Sequence, residues 1–84
     1  MYELIIDRDA EKDLKKIPVS YFQQIASQIN ALSQNPRPQG CKKISGSKSD
    51  WRIRIGKYRV IYEIDDTASM VRVMRVRHRR EAYR

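Results

Sequence analysis

Apolar and polar positions alternate along "WRIRIGKYRVIYEI", residues 51–64. Trp51, Ile53 and Ile55 share one face of a strand, and Arg52 and Arg54 share the other. After Gly56-Lys57 the apolar pattern resumes at Tyr58, Val60 and Tyr62. A two-residue loop with glycine first suits a type II′ hairpin turn. That turn sets a register in which 55 opposes 58, 54 opposes 59, 53 opposes 60, 52 opposes 61 and 51 opposes 62. Every core-face pair is then apolar or aromatic, and Trp51 reads as a packing residue.

The rest of the chain supplies other periods. "YELII" at 2–6 predicts a first strand. A short helix follows, capped by Asp7 or Asp9, carrying Ala10, Leu14 and Ile17 and closed by Pro18. Ser20 and Gln23 have capping-box spacing. Phe22, Ile25, Ala26, Ile29 and Leu32 then form one amphipathic stripe, which Pro36 and Pro38 cannot continue. "SGSKSD" predicts a loop, 51–55, 58–64 and 70–77 predict strands, and "DDTAS" predicts a turn. The expected fold is one α+β domain spanning 1–84 in the order β-α-α-β-β-β. Its small, mainly antiparallel sheet carries a two-helix hairpin on one face and nothing on the other.

Charge sharpens the picture. Residues 1–41 hold five basic and five acidic residues, a net of 0, whereas residues 42–84 hold 13 basic and 5 acidic, a net of +8. A neutral half joined to a strongly basic half points to a polyanionic partner. The single cysteine, Cys41, excludes an intrachain disulfide and reads as a buried free thiol in a reducing compartment. No signal peptide, membrane span, Cys-based zinc site, P-loop, dinucleotide fingerprint or Ser-His-Asp pattern is evident, so no cofactor or metal is expected.

The hairpin register sets Arg54 against Arg59, with Arg52 beside them. Like charges directly opposed across a ladder destabilise it. The arrangement makes sense where an anion fills the gap, because guanidinium groups stay protonated and present forked donors to phosphate. The tail "VRVMRVRHRREAYR" brings more cations, together with His78 and Tyr83. Lys42, Lys43, Lys48, Lys57, Arg77 and Arg80 extend the set as expected contacts to a polyanion such as RNA.

"WRIRIGKYRVIYEI" and "VRHRREAYR", in this order of elements, resemble the RelE/ParE superfamily of toxin–antitoxin toxins, and the RelE branch more than the ParE branch. The resemblance implies a cytoplasmic, ribosome-dependent messenger-RNA endoribonuclease without a metal, neutralised by an acidic RelB-like antitoxin in a hetero-oligomer. It implies catalytic roles for Arg52, Arg54, Arg59, Arg79 and Tyr83. The best-known RelE pattern has lysines at the first two places, and arginine cannot serve as a base there. By its intrinsic chemistry His78 fits that role. The alternatives are a non-catalytic gyrase inhibitor of the ParE kind and a basic RNA-binding module.

Overall fold

The computed structural model describes residues 1–82. The elements are β1 (Glu3–Ile6), α1 (Arg8–Lys15), α2 (Val19–Ala31), β2 (Lys42–Lys43), β3 (Asp50–Ile55), β4 (Tyr58–Asp65), β5 (Met70–His78) and the short α3 (Arg79–Ala82). They build one sheet ordered β1-β5-β4-β3-β2, in which β1 runs parallel to β5 and the other pairs are antiparallel. The α+β class and the helical hairpin are as expected. The sheet has five strands where the periodicity predicted four, because β2 is two lysines with no alternation to reveal it. The turn α3 was likewise unpredicted.

The β3–β4 register is the one derived from the two-residue turn, from Trp51 opposite Tyr62 to Ile55 opposite Tyr58. Gly56 has φ of 58°, the conformation required at the first position of a type II′ turn. The core lies between this sheet and the helices, with Ile25, Ile29, Leu32, Val60, Tyr62, Val71 and Val73 almost wholly buried. Trp51 packs against that core, and the Arg37 guanidinium lies 5.1 Å above its ring. Cys41, expected to be buried, is half-buried against the same core. Burial holds the Tyr62 hydroxyl protonated far above its ordinary range, and it donates to the Pro36 carbonyl at 2.7 Å. This bond pins the segment that leaves α2 back onto the sheet.

Helix starts differ from the sequence reading. Asp7 stands at the α1 N-cap, but its side chain makes no capping bond. Pro18 is the N-cap of α2, and its carbonyl accepts from the Tyr21 and Phe22 amides. Ser20 therefore lies inside the first turn, and the Ser20–Gln23 capping box does not form. Proline at this boundary starts the helix earlier than a hydroxyl cap at Ser20 would. Phe22, at the start of the apolar stripe, remains 41% exposed.

One irregularity decides the faces of the basic tail. Tyr62 pairs with Val73, but Ile61 pairs with Arg75, so Met74 is the extra residue of a bulge in β5. In a strand a one-residue insertion exchanges the two faces for everything beyond it. The bulge therefore brings Val76 into the core opposite Val60, sets Arg77 opposite Arg59, and sets His78 opposite Tyr58.

Candidate functional site

The face of the sheet turned away from α1 and α2 carries a row of cations across three strands. Arg54 of β3 opposes Arg59 of β4, which opposes Arg77 of β5. Beside this row Lys42 opposes Arg52, which opposes Ile61. The hairpin sets these positions by its turn, and the bulge adds Arg77. The tail brings in Arg79, whose amide donates to the Lys57 carbonyl at 2.7 Å.

This face is not the open surface that the pattern suggested. Arg59 is only 7% exposed. It lines two adjoining clefts. One, of about 230 Å³, is bounded by Arg54, Gly56, Lys57, Tyr58, Arg59 and Arg79. The other, of about 430 Å³, is bounded by Lys43, Ile44, Ser45, Arg52, Arg59 and Ile61. The first is a cationic cradle of guanidinium groups. The second has apolar walls from Ile44 and Ile61 with donors at its edge. The two together suit a phosphate group and an attached nucleoside, and Arg59 is common to both.

Four carboxylates among the described residues pair with cations outside these clefts. Glu63 lies 3.2 Å from Arg72, and Asp7 lies 3.9 Å from the same guanidinium. Asp66 pairs with Arg37 at 2.8 Å. Asp13 of α1 accepts two bonds from Arg75, at 2.9 and 3.2 Å, and a third from the Val76 amide at 2.9 Å. Burial alone would raise the Asp13 pKa, but the Arg75 bond, the Val76 amide and the charges of Arg75 and Arg77 outweigh it and hold the carboxyl below its ordinary value. Arg72 and Arg75 therefore serve as structural cations. Among the described residues no ion pair takes up Arg52 or Arg54.

The structure thus brings Arg52, Arg54, Arg59 and Arg79 onto one surface, with Lys42, Lys43 and Lys57 around them. Arg77, expected as a peripheral RNA contact, stands in the central row. Arg80 is exposed at the tail, and Lys48 sits in an exposed loop outside both clefts. Tyr83 lies outside the described residues. His78 faces the other way: its ring meets Tyr58 edge-on at 5.3 Å, and Tyr58 meets Tyr21 of α2 at 5.5 Å. Sequence reasoning missed Ile44, Ser45 and Ile61. Ile61 sits on the cationic face of its strand, and that is the only signal the sequence offers for it.

Residues 4–83 match the family described as the ParE toxin of the type II toxin–antitoxin system, parDE, and the chain belongs to that family. A curated relative from Methanocaldococcus jannaschii, which bears a RelE1 toxin name, is 33% identical over 99% of this chain and 96% of its own length. The RelBE2 toxin–antitoxin complex of Mycobacterium tuberculosis contains a similar chain, with a TM-score of 0.80, 28% identity, and coverage of 92% of this chain and 96% of that one. The archaeal RelE–RelB complex from Pyrococcus horikoshii shares the fold, with a TM-score of 0.82 at 23% identity over 93% and 94% of the two chains. The protein is a type II toxin, RelE-like in structure. No helix among the described residues is long and apolar enough to cross a membrane.

Proposed function

We propose that this toxin is a messenger-RNA endoribonuclease that works on the ribosome and stops translation. The observation that carries the proposal is the Arg54–Arg59–Arg77 row, with Arg79 lining the same cleft as Arg54 and Arg59. In the reaction the ribose 2′-oxygen attacks the adjacent 3′ phosphorus. The new bond is 2′-O–P and the bond broken is P–O5′. The 2′ proton passes to solvent and the 5′-oxygen gains one. The products are a 2′,3′-cyclic phosphate and a 5′-hydroxyl.

Arg54, Arg59 and Arg79 stabilise the charge that gathers on the phosphorane-like transition state, the largest usual contribution in such sites. Guanidinium groups supply the positive charge that a metal ion would bring in other nucleases. Arg52, at the edge of the apolar cleft, orients the phosphate, and Tyr83 stacks on or orients the substrate. A site without a strong side-chain base is workable if the ribosome bends the message into attack geometry, since orientation alone can supply ~7–11 kcal/mol.

A protein carrying +8 needs a neutraliser in its cell, and a RelB-like acidic antitoxin fits that need. Relatives crystallised as RelB complexes support this partner. The match to the ParE family favours one second reading, non-catalytic inhibition of DNA gyrase. Mapping the ends of RNA and DNA in cells expressing the toxin separates the two. Cyclic-phosphate ends on messages are expected, and gyrase-trapped double-strand breaks with intact messages would refute the nuclease.

A further inference from the structure

His78 closes β5 directly opposite Tyr58, on the helix side of the sheet, and the next residue opens α3. It is therefore the N-cap of that turn. Its Nδ1 lies 3.2 Å from the Arg80 amide, which belongs to the second residue of the turn. An N-cap side chain satisfies this amide by accepting its hydrogen. Nδ1 accepts only with its lone pair free, which places the ring proton on Nε2. The amide just before it, that of Arg79, is held by the Lys57 carbonyl at 2.7 Å. The first two amides of the turn are thus tied down, one by the hairpin loop and one by the imidazole. Between them they set the direction in which Arg79 leaves the backbone, toward the cleft it shares with Arg54 and Arg59.

We propose that His78 is a positioning residue, an imidazole cap that accepts from the Arg80 amide at Nδ1, folds the C-terminal turn and so holds Arg79 over the phosphate cleft. The role differs from proton abstraction in two respects. Nδ1 already serves the Arg80 amide, and the ring lies on the opposite face of the sheet from Arg59, stacked edge-on against Tyr58. This inference rests on the nuclease reading for its effect on rate, but the cap itself is a statement about the fold.

Two variants of the full-length toxin separate cap, base and packing. His78→Asn keeps a short acceptor of the type favoured at N-caps and removes both the ring and the base. His78→Leu keeps apolar bulk against Tyr58 and removes the acceptor. Single-turnover cleavage on programmed ribosomes should leave His78→Asn within about threefold of wild type. His78→Leu should fall roughly 2- to 30-fold in maximal rate, the range set by loss of one N-cap, with half-saturation little changed and no further loss in an Arg79→Ala background. Loss in both variants, or retention in Leu with loss in Asn, would overturn the proposal. Hydrogen exchange of the Arg80 amide tests the cap independently of activity. Exchange should be roughly 2- to 30-fold faster in His78→Leu than in His78→Asn, the same range set by one lost N-cap. Equal rates would overturn the cap even if the nuclease reading failed on other grounds.

Discussion

Arg54 stands directly opposite Arg59 across the β3–β4 ladder, one side chain exposed and the other buried. Opposed like charges cost the ladder stability, on the scale of ~0.2–1 kcal/mol for a cross-strand pair. Arg54→Ala should therefore leave the melting temperature equal or slightly higher while abolishing toxicity on induced expression. A marked drop in melting temperature would mean that Arg54 is structural.

Gly56 makes that opposition possible, because its positive φ lets two residues reverse the chain. A Cβ there would meet Tyr21 Cε1 at 3.7 Å, an ordinary contact, so space does not forbid a side chain. The backbone does. Gly56→Ala should cost about 1–2 kcal/mol in urea denaturation. It should also slow cleavage, since the same turn supplies the Lys57 carbonyl that holds Arg79.

Asp13 ties α1 to the edge of β5 beyond the point where β1 ends. Asp13→Asn should lower stability at neutral pH by about 1–3 kcal/mol, the usual cost of disturbing hydrogen bonds between charged groups. The folded-state pKa of Asp13 lies below its unfolded value. Its contribution is thus full above the ordinary carboxylate value of ~3.9 and is lost as pH falls through the depressed folded value. Wild type and Asp13→Asn should converge in denaturation midpoint in strongly acid solution and differ at neutral pH.

The hairpin was legible because its turn length, its glycine and its alternation all specify one register, and each core pair agrees with it. The cationic row was legible to the same extent for Arg52, Arg54 and Arg59. Arg77 and His78 were not, because faces in β5 depend on the bulge at Met74, and two plausible alternations run through "VRVMRVRH". The burial of Arg59 was also hidden. It depends on which segments border that face, Arg79 on one side and Lys43–Ser45 on the other, and tertiary packing decides that. The strand β2 left no trace because a two-residue edge has no period to read.

Association with the antitoxin should be electrostatically steered. The second half of the chain carries the whole excess of +8, so the association rate with an acidic partner should fall steeply between low and high salt, while the dissociation rate changes less. Stopped-flow mixing of the separately purified partners across a salt series checks this. A salt-independent association rate would place the antitoxin on a different surface.

In the proposed reaction buried Arg59, flanked by Arg54 and Arg77, stabilises the transition state of RNA cleavage. The most direct test of this role is the single-turnover cleavage rate of wild type and Arg59→Met on programmed ribosomes in the presence of a chelator, with ribosome affinity measured alongside. Methionine keeps much of the buried aliphatic volume, so the fold should persist. Wild type should yield 2′,3′-cyclic phosphate and 5′-hydroxyl ends, and Arg59→Met should bind ribosomes comparably but cleave roughly 10²–10³-fold more slowly. A folded Arg59→Met toxin that cleaves within a few-fold of wild type would contradict this role.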